Sequence, residues 1–294
     1  MPRSLPRAAI RAWLDELCSR MEPTGAWPLI PGRSARPDAT AWAVLALAAW
    51  DESADAQQLG RDRLVDFQRE DGGVPLVALQ PAAIWPTALA MLAWSGSVRH
   101  ALPLQRGADR LLEVETRFEP DGLQGHDPSL RGWPWIAGTH PWVEPTALSL
   151  LALHAAARAD CERFREGLRM LLDRQLPDGG WNYGNTSLFG STLRPLPGPT
   201  GLALAALAGH AEAARVERSL AYAREQVGPS CSPRSLGLLL IGLDAWQRPA
   251  EPPRTVDGLD GRDLDLQMTD QLAIALAAFS ERPLPGLARA ESAP

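Results

Sequence analysis

What the chain lacks narrows its possibilities first. It contains no lysine, so all 29 basic residues are arginine, and none forms the kind of run that tracks phosphates. With a net charge of −6, nucleic acid is not an expected partner. No stretch approaches the ~20 apolar residues a membrane span needs, which leaves peripheral contact as the only membrane relationship in view. The opening M-P-R-S-L-P-R-A-A-I-R has positive charge but no continuous apolar core behind it, so it does not read as a secretory signal, and a cytoplasmic location is expected. Cysteine is scarce as well. Cys18, Cys161 and Cys231 lie far apart and make an odd count, as expected of free thiols in a reducing compartment. Tyrosine occurs twice against 11 tryptophans, an imbalance that any account of the site has to address.

What is present is a repeated shape. R-P-D-A-T-A-W-A-V-L-A-L-A-A-W from Arg36 is echoed by I-W-P-T-A-L-A-M-L from Ile84, V-E-P-T-A-L-S-L-L-A-L from Val143 and P-G-P-T-G-L-A-L-A-A-L from Pro197. Each echo predicts a helix opening two residues before its Thr, with Pro or Ala at the first helical position, where a missing N–H costs nothing. The residues that follow are small and aliphatic on every side. Such a helix has to be buried on every side.

Between these segments lie amphipathic ones. Pro6 to Met21 sets Ile10, Trp13, Leu14 and Leu17 against a charged face, and Asp55 to Arg69 does the same with Leu59, Leu64 and Phe67. Asp-Gly stops end the outer segments: Q-R-E-D-G-G-V from Gln68, F-E-P-D-G-L-Q-G from Phe118, and R-Q-L-P-D-G-G-W-N-Y-G from Arg174. The Thr marks at 40, 87, 146 and 200 give a period of roughly fifty residues, enough for one outer helix, one inner helix and two loops. Two more inner-type helices are predicted at Ser232–Trp246 and Leu266–Phe279. An all-apolar layer lining an open solenoid would be wet on its concave side, so the expectation is a closed ring. That ring is an all-α, α/α toroid of about six inner and five to six outer helices, in one domain spanning 1–294.

On these residues the chain resembles the terpenoid cyclase and protein prenyltransferase superfamily, closest to a single domain of the squalene–hopene cyclase kind. Gln175, Asp178, Gly179, Gly180 and Trp181 match its Q-x-x-D-G-G-W signature, called the QW motif, and Gln68, Asp71, Gly72 and Gly73 match it in degenerate form. The resemblance implies that these glutamines pack on Trp and tie helix ends together. For function it leaves two paths: protonation-initiated cyclisation of an apolar isoprenoid, an isomerase-type activity, or a non-catalytic toroid that binds a lipid, peptide or protein. Short His/Cys ligand spacing is absent, as is a D-D-x-x-D magnesium motif, so no metal and no cofactor is expected. A homodimer, or a second helical domain in trans, could cover the cavity.

Class II cyclases of this superfamily carry their acid in a D-x-D-D-T-A or S-D-C-T-A motif at an inner helix start. In P-D-A-T-A from Pro37, the resemblance puts Asp38 on that acid's position. Asp before an apolar helix is also a common N-cap, and both readings stand. They pull in opposite directions, because capping favours the carboxylate whereas deep burial can raise a carboxyl by about 3–5 units. Glu144 occupies the equivalent position in the third echo. With His140, it is the candidate polarising or deprotonating group. Trp faces stabilise cations, so Trp42, Trp85, Trp133, Trp135, Trp142 and Trp181, with Tyr183, are the candidate cavity wall. For Trp181 the reading as a packed staple is the stronger one. The acidic stretch Asp257 to Asp270 lacks an EF-hand order of ligands and reads as solvating and capping the last helix.

Overall fold

The computed structural model describes residues 5–77, 83–117, 125–259 and 261–284; the Asp-Gly ending from Phe118 falls mostly outside them. Six inner helices stand in a ring: α2 (Pro37–Ala49), α4 (Trp85–Trp94), α6 (Val143–Ala155), α8 (Pro197–Leu207), α10 (Pro233–Ala245) and α11 (Thr269–Phe279). Each packs on the next, and α11 packs back on α2, which closes the circle. Outside them stand α1 (Arg7–Ser19), α3 (Ala54–Phe67), α5 (Ala101–Leu112), α7 (Glu162–Asp173) and α9 (Ala213–Gln226). Where a sixth outer helix would stand, a 3-10 turn at Gly261–Leu266 packs against α1. The fold is an α/α toroid.

The inner helices run parallel. Their C-terminal ends meet through the Trp50 indole, which donates to the Leu276 carbonyl, and through the Ser280 hydroxyl, which donates to that of Ala49. All but one of the residues of α8, and all but one of those of α2, are buried, which is what helices without a polar face require. The outer helices bury one face each. In α3 that face differs from the expected one: Leu59 is exposed, and Ala56, Gln57, Gly60 and Leu64 point inward. Gly60 is the reason, since a Cβ there would collide with Val44 and Trp27, so α3 sits close to α2 on its glycine edge.

The Thr marks have a physical basis. In four repeats the Thr hydroxyl at the fourth helical position or next to it accepts the amide that enters the ring: Trp27 to Thr40 at 3.0 Å, Val74 to Thr87 at 2.9 Å, Trp133 to Thr146 at 2.8 Å and Trp181 to Thr200 at 2.9 Å. Just upstream, the same tight turn recurs at Glu22–Ala26, Arg69–Gly73 and Leu176–Gly180. Gly179 shows why that turn needs glycine: φ is +95°, and a Cβ would overlap the Arg218 backbone of α9. Gln68 and Gln175 act as ties, though through hydrogen bonds to the next outer helix. Gln68 donates to the Pro103 carbonyl, and Gln175 to Ser219 Oγ and the Arg215 carbonyl.

Candidate functional site

The first turns of the six inner helices form one rim, and its charged residues sit at the second helical position. Proline or another residue takes the first position, so the inner helices begin one residue earlier than the Thr spacing suggests, except α4. Asp38 is therefore not the N-cap. Its carboxylate is turned back onto Arg36, accepting from Nε at 3.0 Å and from Nη2. Asp38 is thus buried as half of an ion pair with Arg36.

Glu144 is more deeply placed, only 3% exposed, and meets Arg234 of α10 in a second bidentate pair at 3.2 and 3.1 Å. α6 and α10 are not neighbours in the ring. Their side chains reach each other across α8 because Gly198 stands between them: a Cβ there would lie 3.3 Å from Arg234 Nη1 and 3.8 Å from Glu144 Oε1. Burial alone would lower the Arg234 guanidinium, but Glu144, with Asp270 beyond it, raises it above its ordinary value. Asp270, in the first turn of α11, is the rim's third carboxylate. Burial pushes its carboxyl up and the charge of Asp38 adds to that, while Arg234 and Arg36 pull it down. No sequence signal separated Asp270 from the acidic stretch around it. Arg36 and Arg234 were equally invisible, because guanidinium groups are recognised as site residues only once their partners are in place.

Beneath the rim, Trp42, Leu45, Leu148, Leu202, Leu238 and Ile241 converge on the ring axis, with Leu284 among them, and the space left between these described side chains is about 10 Å³. Small-molecule sites run to roughly 300–1,000 Å³, so the expected ligand needs far more room than these side chains leave.

The candidate cavity wall divides into three groups. Trp42 lies on the ring axis. Trp133 and Trp181 are wholly buried between the layers, so they line no cavity. Their indole N–H groups donate to the Leu111 and Leu171 carbonyls of the outer helices, and Trp27 does the same to Leu17. The Trp133 face is covered too, by the Arg163 guanidinium 4.1 Å above it. The third group is half-exposed at the start of α4 and on the loops: Trp85 edge-on to Trp135 with centroids 5.2 Å apart, Trp142 against His140 at 4.4 Å, and Tyr183. His140 faces a pocket outside the ring, lined also by Arg117, His126, Arg174 and Asn185, and does not join Asp38 and Glu144.

Another cleft lies at the opposite end. About 540 Å³ opens between α1 and the C-terminal ends of α2 and α11, walled by Leu5, Ile10, Leu14, Trp50 and Phe279 and edged by Arg7, Arg11 and Arg282. Cys18, Cys161 and Cys231 are free, as expected. Among the described residues no group of three or more His, Cys, Asp or Glu could hold a metal ion. None of the described helices is long and apolar enough to cross a membrane.

Solved structures with this architecture cover most of both chains. A protein from Actinoplanes is 19% identical, with a TM-score of 0.60 over 93% of this chain and 98% of that one. The type II terpene cyclase MstE from Scytonema, in complex with its product merosterolic acid A, is 14% identical, with a TM-score of 0.58 over 93% and 95%. Type II terpene cyclases thus share this α/α toroid. At such identities the likeness stops at fold, and an alpha-amylase from Clostridium perfringens shares it equally, at 11% identity and a TM-score of 0.63 over 95% and 99%. No family model matches the sequence, and no curated protein does either.

Proposed function

We propose that this chain is a non-cyclising toroid that holds an apolar chain, of isoprenoid or acyl type, in the lateral cleft beside α1. The observation that carries this reading is the distribution of space: about 540 Å³ beside α1 against about 10 Å³ on the ring axis. The first lies within the usual range for a small-molecule site and the second holds no ligand. The cleft offers an apolar floor with guanidinium groups at its edge, which suits a molecule with an apolar body and a polar or acidic end. The test is calorimetric titration with geranylgeraniol and with palmitate. Ala49→Phe, which narrows the cleft from the end of α2, should abolish binding, and Asp38→Asn should leave it intact. Binding that survives Ala49→Phe would remove the cleft from the account.

A second reading, protonation-initiated cyclisation, is favoured by Asp270. A buried carboxyl held above its ordinary value beside a second carboxylate is a usual sign of a proton donor and its supporting charge. Here Asp270 is raised by burial while Asp38 is ion-paired. On this reading Asp270 protonates the chain and Asp38 stabilises the developing cation, after the leucines on the ring axis have made room. Gas chromatography of extracts after incubation with geranylgeranyl substrates separates the two. Cyclic products that vanish in Asp270→Asn support cyclisation, and their absence from wild type excludes it for those substrates.

A further inference from the structure

Among the described residues that line the ring axis, Leu284 is the one that no inner helix supplies. Leu45 comes from α2, Leu92 from α4, Leu151 from α6, Leu202 from α8 and Ile241 from α10. None of the described residues of α11 joins them, and that side of the space is taken by Leu284, which lies past the end of α11. The chain arrives there from the C-terminal end of the ring. Ser280, directly after α11, is fixed at that end by its hydroxyl, which donates to the Ala49 carbonyl. Helices spaced about 8–10 Å apart in a ring of six put its axis at about the same distance from each of them. The four residues that follow Ser280 span up to about 14 Å, enough to cross from the wall to the axis.

Little fastens them there. Glu281, Arg282 and Pro283 are exposed, and Leu284 is half-buried against the core. Among the described residues, no main-chain hydrogen bond ties 281–284 to an inner helix. The Arg282 amide donates back to Ser280 Oγ at 3.1 Å. Its guanidinium meets Asp51 at 3.2 Å, but these side chains are 58% and 77% exposed, so water screens the pair. Docking therefore rests chiefly on one leucine side chain. A segment held by few apolar contacts, with its main chain in water, belongs to the low-stability end of a fold. The same segment borders two apolar spaces, since Ser280, Glu281 and Arg282 edge the cleft beside α1 while Leu284 stands on the axis.

We propose that 281–284 is a releasable plug of the ring. Docked, Leu284 closes the axis from its C-terminal end; released, it leaves an apolar space that admits the end of an apolar chain. An engineered cavity of about 150 Å³ lined by leucine, isoleucine and phenylalanine takes up benzene, a molecule close in size to one isoprene unit. The plug stands on the path of the chain after α11 and does not depend on what the α1 cleft holds. The test is photolabelling of the full chain with a geranylgeraniol that carries a diazirine on its terminal isoprene unit, in wild type, Leu284→Asp and Leu284→Met. A carboxylate is costly to hold on an apolar axis, so Leu284→Asp should raise the label on Trp42, Leu148 and Ile241 about tenfold or more over wild type. Its melting temperature should fall by no more than about 5 °C, because the segment comes away without opening the ring. Leu284→Met, which keeps size and apolarity, should label as wild type does. Adding Ala49→Phe to Leu284→Asp should remove label around Ile10 and keep label in the ring, so the cleft and the plug can fail separately. A folded Leu284→Asp with no more ring label than wild type would overturn the plug. So would a chain that unfolds on that substitution, because Leu284 would then be part of the core itself.

Discussion

The two ends of the ring are built from the same six helices and solve opposite problems. At the N-terminal rim the first-turn amides carry partial positive charge, and Asp38, Glu144 and Asp270 stand there, ion-paired with or close to Arg36 and Arg234. At the C-terminal end, the more neutral of the two, the orphan carbonyls are met mostly by uncharged donors, Trp50 to Leu276, Trp246 to Leu204 and Ser280 to Ala49, with Arg61 donating to Ala93. The N-terminal rim lies over close-packed leucines, whereas the C-terminal end opens onto the cleft of about 540 Å³. Charge in this fold marks where helices are locked together as well as where chemistry could occur, and tryptophan marks where layers are stapled.

The largest effects should come from breaking the staples. Trp181→Ala should cost roughly 3–5 kcal/mol, the range for deleting a buried aromatic, and Trp181→Phe less, since it keeps most of the apolar contact and loses the indole bond to Leu171. Thermal or urea unfolding of both variants measures the difference. If Trp181→Ala melts like wild type, the layer packing described here is wrong.

Next comes the charged rim. Glu144→Ala should destabilise by about 2–4 kcal/mol, toward the lower end for a broken buried pair because the Arg234 side chain is 32% exposed and water can reach it. Glu144→Ala paired with Arg234→Met should recover much of that loss. A double variant as unstable as the sum of its parts would show that the pair does not act as a unit.

Two glycines one turn apart on α8 sharpen the contrast between rim and core. At Gly201 a Cβ would run into the Leu238 backbone of α10, so Gly201→Ala should cost about 1–3 kcal/mol or more by overpacking. At Gly198 the nearest atoms are ends of side chains, 3.3 Å away and beyond, so Gly198→Ala should change stability by under about 1 kcal/mol, its helix preference offsetting a displaced Arg234. Similar costs at both sites would mean that α8 and α10 do not touch backbone to backbone.

The smallest effect is one of pH at the neutral end. His210 sits edge-on to His154 and Phe164, with centroids 5.1 and 5.0 Å away, and burial first, then His154, holds it below its ordinary value. The folded state therefore binds the proton less readily than the unfolded chain. The stability it contributes is present above about pH 6.5 and is lost as pH falls through the lower folded value. His210→Phe should flatten melting temperature against pH across that window, and an unchanged profile would place the titration elsewhere.

Much of the fold was legible because its rules are local. The Thr marks, the Pro at helix starts and the Asp-Gly stops each reflect a contact made within one repeat, as Trp27 to Thr40 shows. The outer face of α3 was misread because hydrophobic periodicity gives Leu59 weight and Gly60 none, while close packing does the reverse. The site was harder to read because its contacts are long-range: Glu144 and Arg234 are 90 residues apart. Asp38 stands on the rim as its place at a helix start implies, but its partner is Arg36, two residues away, for which helix-start patterns carry no rule. Trp181 reads from the sequence as a staple and is one, whereas Trp133 reads as a cavity wall because composition alone does not distinguish an indole that staples from one that lines.

The central claim, that the ring is filled and the ligand seat lies beside α1, is tested most directly by photolabelling. A diazirine-bearing geranylgeraniol would be irradiated with the protein and the adducts mapped by peptide mass spectrometry. Label confined to the α1 segment around Ile10 and Leu14, Trp50 and Phe279, and competed away by unlabelled geranylgeraniol, is the predicted result. Label on Trp42, Leu148 and Ile241 would contradict it, because it would show that the ring opens to take the chain inside.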